Sequence, residues 1–332
     1  MSDKYFPVRY SQLNPAALKN ELTKRYELEE PMSCRVFNSG VNDIYIIKVG
    51  KEVFYLRVSL TGIYERRDYE EEIFIINTLC ENGIRAAAPV CCRDGSYIWE
   101  INAPEGRRYA VLFTEAKRTP SEDKVKKAYN LGCMAAQIHT IADEKNFIVC
   151  RAPIDLVQLA KKPLELIQPY LAHRTADYEF LSNAAEKLCR YVGDNFGHEK
   201  PYYGYCHGDI HSGNVFFEGD APKIFDFDCM GYGWRAYDIC VFAWNETFGD
   251  EKYIETEAWK AFLEGYNFVR QLSETELASI NAFAALRELW LMGLHADVIE
   301  RNAECSWYND GYFDYHIGIF KLWYKRAVPK ES

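Results

Sequence analysis

The chain predicts a two-part α+β protein. Strand-like runs fill residues 1–116 around one main helix, and helical periodicity takes over across residues 117–332. Within that helical part a single strand pair, Asn214–Phe217 and Lys223–Phe227, flanks the turn-rich Glu218-Gly219-Asp220-Ala221-Pro222. With 332 residues, 48% of them hydrophobic, the chain has ample material for two cores.

The elements follow in order. Asn14 can cap a helix that starts at Pro15 and runs to Tyr26, with Leu18 and Leu22 four apart on its inner face. Three antiparallel strands are expected at Arg35–Phe37, Ile44–Ile47 and Val53–Val58. Tyr69–Leu79 carries Ile73, Ile76 and Leu79 on one side, as an amphipathic helix does. Further strands are predicted at Ala88–Cys92, Ser96–Trp99 and Arg108–Phe113, and Thr119-Pro120-Ser121 marks a turn at the boundary. Beyond it, Leu131, Ala135 and Ile138 define a helix over Tyr129–Thr140, and Leu181, Ala184, Leu188 and Tyr191 define another over Tyr178–Val192. Phe283–His295 is apolar on nearly every side except at Arg287 and Glu288, which is the pattern of a central helix whose charges need partners.

Charge and cysteine usage exclude several classes. A formal charge of −10 argues against nonspecific nucleic-acid binding, which needs clustered Lys and Arg, and favours a cationic small-molecule partner. The 11 cysteines are scattered without a Cys-x-x-Cys pair, so neither a zinc site nor a disulfide framework is expected. Nothing resembling a leader or an apolar run of about 18 residues is evident, so the expectation is a cytoplasmic protein with no membrane partner.

The chemistry concentrates in His207-Gly208-Asp209-Ile210-His211-Ser212-Gly213-Asn214 and in Asp226-Phe227-Asp228. Asp209 and Asn214 stand five apart, the interval at which a phosphotransferase loop places its base and a metal ligand, and Asp226 arrives where the main Mg²⁺ carboxylate is expected. Their oxygens are hard donors suited to Mg²⁺.

The run His-Gly-Asp-x-His-x-x-Asn followed by Asp-Phe-Asp resembles the aminoglycoside phosphotransferase and choline kinase superfamily. That resemblance implies a bilobal protein-kinase-like fold: residues 1–116 as a nucleotide-binding lobe including the hinge, and residues 117–332 as a catalytic and substrate-binding lobe. It implies Mg²⁺ as cofactor, ATP or GTP as phosphoryl donor, and a small hydroxyl acceptor bearing an amine. Ser39 and Gly40, in the first hairpin, would then offer a hydroxyl and unhindered backbone N–H groups to the phosphates, or form a plain turn. Arg57 occupies the position of the phosphate-pairing lysine, and Glu72, seven before Leu79 and eleven before Gly83, is its candidate partner, with Glu70 and Glu71 on the solvated face. The arginine leaves open a variant clamp or a degenerate site, and the intact base and metal ligands favour the clamp. Thr114-Glu115-Ala116 resembles the family's hinge, whose backbone at Thr114 and Ala116 would meet the adenine; a bare linker is the alternative.

Four further residues belong to this reading. His139 is expected to be a buried structural histidine, and Asp238 to cap the following helix and brace the catalytic loop. Asp228 is either a second metal ligand or a loop-stabilising acid, and Cys229 replaces a third acid found in several relatives. Arg287 pairs with a structural acid or meets an acceptor carboxylate, and Trp307, Tyr308, Tyr312 and Phe313 either wall the acceptor pocket or belong to the core. A protein kinase, or a nucleotide-binding scaffold without turnover, are the rival readings. The short connection between Asp226 and Asp238 disfavours the first, and Arg57 sustains the second.

Overall fold

The computed structural model describes residues 6–29, 32–119, 123–247, 256–299 and 305–328, so Pro120 and Ser121 of the expected turn lie outside the described residues. The chain divides into two compact units, Met1–Ala116 and Lys117–Ser332.

In the first unit, helix α1 (Pro15–Arg25) starts as its sequence dictates: the Asn14 side chain accepts from the Ala16 and Ala17 N–H groups, and Leu18 and Leu22 are buried. Five antiparallel strands follow, β1 (Met32–Ser39), β2 (Asn42–Val49), β3 (Glu52–Ser59), β4 (Trp99–Ala103) and β5 (Gly106–Thr114), in the spatial order β1-β2-β3-β5-β4. Helix α2 (Arg66–Glu81) connects β3 to the later strands. Because successive strand residues face opposite ways, Leu56, Val58, Ala110 and Leu112 join Leu18, Leu22 and Tyr26 in one core, while Val111 packs with Tyr69 and Ile73 of α2 in another. Arg57, paired in register with Val111, is thereby placed on the α2 side.

Two strand expectations change, and a third strand carries an irregularity. Ala88–Cys92 is not a strand; it makes one isolated bridge, Pro89 to Phe113, flanked by the Val90 N–H to the Leu112 carbonyl and the Thr114 N–H to the Ala88 carbonyl, and the Cys92 N–H turns away to the Ser96 carbonyl. The strand expected at Ser96–Trp99 begins only at Trp99, because Gly95, at φ +84°, and Ser96, whose N–H donates to Asp94 Oδ1 at 2.9 Å, form a turn. Around Arg35–Phe37 the β1–β2 register shifts between Val36 and Asn38, and Phe37 is left 61% exposed.

A buried ion pair fixes one end of the sheet. Arg108 donates to Asp43 Oδ2 at 2.7 Å, to the Ser11 carbonyl at 2.8 Å and to the Ser59 carbonyl at 2.5 Å. Asp43 also accepts from the Tyr10 and Ser39 hydroxyls, so the β1–β2 turn is anchored to the interior.

In the second unit, α3 (Lys124–Lys145) is longer than expected: the Asp123 side chain accepts from the Lys126 N–H at one end, and Asn146 turns left-handed at the other. A π-turn (Val157–Lys161) leads into α4 (Lys162–Ile167), and α5 (Thr175–Asn195) buries Leu181, Ala184, Leu188 and Val192, with Val192 rather than Tyr191 completing the stripe. Strands β6 (Tyr203–Cys206), β7 (Val215–Glu218), β8 (Ala221–Ile224) and β9 (Gly231–Trp234) make two small antiparallel pairs, β6 with β9 and β7 with β8. The remaining helices are α6 (Arg235–Thr247), α7 (Glu257–Val269), α8 (Glu274–Ile299) and α9 (Asp310–Ala327).

Helix α8 is the hub, with Ala282–Leu289 buried without a break. By length and composition it could cross a membrane, contrary to the expectation that no such run exists, yet 67% of its most apolar window is buried inside the unit. Helices α3 and α7 cross closely, because a Cβ on Gly132 would run into the Phe262 carbonyl and one on Gly265 into the Tyr129 carbonyl.

Those glycines give a sign-reversed prediction. Alanine ordinarily stabilises a helix relative to glycine by about 0.5–1 kcal/mol, but Gly132→Ala and Gly265→Ala must force the two backbones apart. Each is expected to destabilise by about 1–3 kcal/mol in urea denaturation, and a gain in stability would contradict this crossing.

Candidate active site

Strand β6 delivers the chain to His207-Gly208-Asp209. Gly208 has φ +81°, and a Cβ there would strike the Cys229 carbonyl, so the turn admits only glycine. Its amide and that of His207 donate to the two Asp238 oxygens at 2.6 and 2.7 Å. Asp238 in turn accepts from His139 Nε2 at 3.0 Å, and His139 Nδ1 meets the Tyr266 hydroxyl at 2.8 Å. Burial drives the His139 pKa down to about 4, so the imidazole is neutral, donating from Nε2 to Asp238 and accepting at Nδ1 from the tyrosine. Burial alone would raise the Asp238 pKa, but the hydrogen bond from His139 and the charges around it hold it below the ordinary range. Asp238 braces the loop as expected. It does not cap its helix, which has already started at Arg235.

Asp209 emerges from this brace with its carboxylate tightly held. Oδ2 accepts from Asn214 Nδ2 at 2.7 Å and faces His211 Nε2 at 3.2 Å, while Oδ1 accepts from Arg287 Nη2. His211 Nδ1 accepts from the Gly213 N–H at 2.9 Å, which puts the ring proton on Nε2, toward Asp209. Burial pushes the Asp209 pKa up, but the Arg287 guanidinium and His211 outweigh it and hold the carboxyl well below the usual range. The group is a fixed carboxylate.

The β7–β8 hairpin, closed by Gly219-Asp220, then brings the next acid back. The Phe225 N–H donates to the Asn214 carbonyl at 3.0 Å, so Asp226 lies one residue beyond a direct backbone bond to residue 214. Asp226 is exposed and left-handed at φ 63°, a conformation costly for a non-glycine residue and one that functional sites often retain. Arg151, buried, donates to the Phe227 and Asp228 carbonyls at 3.2 and 2.8 Å and fixes the turn that follows. Asp228 itself is buried, 4.0 Å from Arg151. Asn214 spends its amide N–H groups on Asp209, which turns its carbonyl oxygen the other way; that oxygen and the Asp226 carboxylate are a donor set that fits Mg²⁺.

In the first unit, Arg57 and Glu72 form a bidentate buried pair, Nη1–Oε1 2.8 Å and Nη2–Oε2 2.7 Å, with the guanidinium 5.1 Å from the Phe113 ring centre. Glu70, by contrast, is exposed and bonded to Arg66. The Ser39 hydroxyl is tied to Asp43 and lies 2.8 Å from the Tyr10 hydroxyl, its N–H donates to Asn38, and the Gly40 N–H donates to the Asn42 carbonyl at 3.1 Å. The donors expected to face phosphates are thus engaged within the hairpin, because the buried Asp43 draws the turn inward. The Thr114 N–H donates to the Ala88 carbonyl and its hydroxyl accepts from the Ala88 N–H, both at 2.9 Å, so any contact of Thr114 with an adenine falls to its carbonyl. Ala116 is buried.

Two residues carry more than the sequence suggested. Arg287 pairs not with a merely structural acid but with Asp209, and its only advance signal was a charge on an apolar helix. Arg151 carried no signal, being isolated from every motif. Of the aromatic candidates, Tyr308 and Phe313 are buried, Trp307 is 40% exposed, and Tyr312 bonds His295 at 2.7 Å.

A profile of the phosphotransferase enzyme family (APH) matches residues 33–277. The chain belongs to this family. It is a small-molecule kinase, a phosphotransferase with an alcohol group as acceptor, on the superfamily's α+β, kinase-like fold. The homoserine kinase of Bradyrhizobium diazoefficiens is 27% identical over 280 residues, covering 80% of this chain and 79% of its own. Among solved structures, a microcompartment-associated aminopropanol kinase superposes with a TM-score of 0.78 at 18% identity, covering 95% of this chain and 99% of its own. Amicoumacin kinase hAmiN, in complex with AMP-PNP, Ca²⁺ and Ami, gives a TM-score of 0.75 at 20% identity, covering 94% and 93%. The APH chain therefore shares the fold of these structures over nearly its whole length.

Two measurements check the site's framework. Glu72→Ala strands a buried guanidinium and is expected to destabilise the APH chain by about 3–5 kcal/mol in urea, whereas the double change Arg57→Met with Glu72→Leu should fall much closer to neutral. For His139, the folded pKa of about 4 lies below its ordinary 6.5, so the unfolded chain takes the proton first on acidification. Its contribution is complete above about pH 6.5 and drains away toward about pH 4. Melts by circular dichroism should therefore show a larger loss of Tm between about pH 7 and about pH 5 in the parent than in His139→Asn, and equal losses would exclude His139 as the cause.

Proposed function

We propose that this enzyme transfers the γ-phosphoryl group of ATP or GTP to a hydroxyl of a small, amine-bearing acceptor: an amino alcohol, a hydroxy amino acid or an aminoglycoside. The observation that carries this reading is the Asp209 carboxylate, held ionised and clamped to Asn214 on a braced loop. Asp209 orients the acceptor hydroxyl and accepts its proton as the bond to phosphorus forms. Asn214 and Asp226 hold the divalent cation, which when bound neutralises charge on the phosphates. Arg57, fixed by Glu72, steadies the phosphates as a variant of the usual lysine, and the backbone at Thr114 and Ala116 meets the adenine. Residues 1–116 serve as the nucleotide lobe and residues 117–332 as the catalytic lobe. The names of the homoserine and aminopropanol kinases are consistent with an amine-bearing acceptor, and so is the net charge of −10. Free cysteines throughout the described residues fit a reducing, cytoplasmic setting.

A coupled ADP-release screen over amino alcohols, hydroxy amino acids, choline, sugars and aminoglycosides tests the reading directly. Asp209→Ala is expected to lower turnover by about 10²–10⁴-fold while nucleotide affinity stays near that of the parent. Asp226→Ala should instead abolish Mg²⁺-dependent nucleotide binding in calorimetry. Unchanged turnover in the first variant, or unchanged Mg²⁺·ATP affinity in the second, would falsify the assignment.

A further inference from the structure

Arg287 is 3% exposed on the central helix, and its guanidinium is nearly but not fully satisfied. Nη1 lies 3.1 Å from the Tyr237 hydroxyl and 3.3 Å from the Gly208 carbonyl, and Nη2 donates to Asp209 Oδ1. Nε is buried with no hydrogen-bond partner. Nε and Nη2 lie along the edge of a guanidinium that a carboxylate grips with both its oxygens. Here Asp209 answers only half of that edge, because its second oxygen is committed to Asn214 and His211. The neighbouring acid on the same helix cannot answer the rest: Glu288 spends its oxygens on Trp244 Nε1 at 2.6 Å and His316 Nδ1 at 2.5 Å. A buried donor left unmade carries its full desolvation penalty. The half-buried Trp290 stacks on the guanidinium at 4.2 Å and walls the position.

We propose that the Nε–Nη2 edge of Arg287 is the seat of a carboxylate carried by the acceptor, which makes the acceptor a hydroxy amino acid rather than an amino alcohol or an aminoglycoside. The inference rests on the small-molecule kinase reading given above and narrows it. An incoming carboxylate exchanges with Asp209 on Nη2 and completes the edge at Nε. Asp209, still oriented by Asn214 and His211, is then free to turn its released oxygen to the acceptor hydroxyl. The exchange is balanced, because a buried guanidinium cannot give up one carboxylate without gaining another. An acceptor without an acid group supplies no replacement, so Asp209 stays divided between the arginine and the hydroxyl.

The test uses matched acceptors in the ADP-release assay with saturating Mg²⁺·ATP: serine, threonine, homoserine and hydroxylysine, each beside its carboxamide and its carboxyl-reduced amino alcohol. The parent enzyme should prefer at least one acid over both neutral counterparts by on the order of 100-fold in kcat/KM. Arg287→Gln should bring that ratio near unity, chiefly through KM, and Arg287→Lys should keep part of it. Parity between acids and neutral counterparts in the parent, or an undiminished preference in Arg287→Gln, overturns the inference and leaves the kinase reading standing. Turnover of none of these compounds, nor of choline, sugars or aminoglycosides, overturns both. A binding measurement frees the test from the variant's folding: in the presence of Mg²⁺·AMP-PNP, aminobutyrate should raise the parent's Tm and its carboxamide should not. Equal shifts count against the carboxylate seat.

Discussion

The carboxylate of Asp238 is the constraint on which the second unit's site depends. It accepts two consecutive backbone N–H groups, from His207 and Gly208, just where the chain leaves β6, and so sets the direction in which Asp209 departs. A carboxylate buried to 1% exposure could not stay charged without such donors, and the neutral His139 supplies another. The Asp238 carboxylate, which can only accept, places the ring proton of His139 on Nε2, and the Tyr266 hydroxyl donates to the other nitrogen, so the chain of contacts runs from Tyr266 on α7, through α3 and α6, to the loop. The glycines that let α3 and α7 approach thus bear indirectly on the geometry of the loop that carries Asp209.

Downstream, the same economy of parts repeats. Asn214 uses its amide group to orient Asp209 and its backbone carbonyl to receive the returning hairpin, leaving one side-chain oxygen for a cation. The left-handed Asp226 is exposed at the hairpin's end, and the Arg151 contacts to the next two carbonyls keep the chain from relaxing out of that conformation. Strain is retained at Asp226, the proposed metal ligand, because its neighbours over-determine it.

Much of this was legible in the sequence, for identifiable reasons. The loop and the hairpin obey local rules: five-residue spacing between Asp209 and Asn214, then two short strands around a Gly-Asp turn. Glu72 was singled out as the partner of Arg57 by the family resemblance, since periodicity alone does not separate it from Glu70 and Glu71; the structure makes it the buried partner. Where reading failed, a distant partner decided. Ala88–Cys92 has strand composition, but its pairing with β5 ends after Val90 and the Cys92 N–H turns to the Ser96 carbonyl. Ser39 and Gly40 have the composition of a phosphate loop, yet Asp43 and Arg108, far apart in sequence and both fully buried, turn those donors inward. Arg287 was visible as a charge on an apolar helix, but nothing in one dimension says that its acid would be Asp209, the proposed base.

The distribution of charge ties these cases together. The chain carries ten more acids than bases, yet the buried cations among the described residues are arginines: Arg57, Arg108, Arg151, Arg235 and Arg287, none more than 7% exposed. A guanidinium suits that placement, because it holds its charge when desolvated and divides its N–H groups among several acceptors. Arg108 shares itself between Asp43 and backbone carbonyls, Arg235 bonds Asp143 at 2.7 Å, and Arg57 makes two parallel bonds to Glu72. An arginine in place of the usual phosphate-pairing lysine is therefore in keeping with how this chain builds its interior. A lysine at position 57 would present a single ammonium to Glu72 and lose one of the two bonds that fix the pair's plane. Arg57 is a rigid fork where the proposed reading would otherwise expect a mobile point charge, and its two parallel bonds to Glu72 hold that fork in one plane.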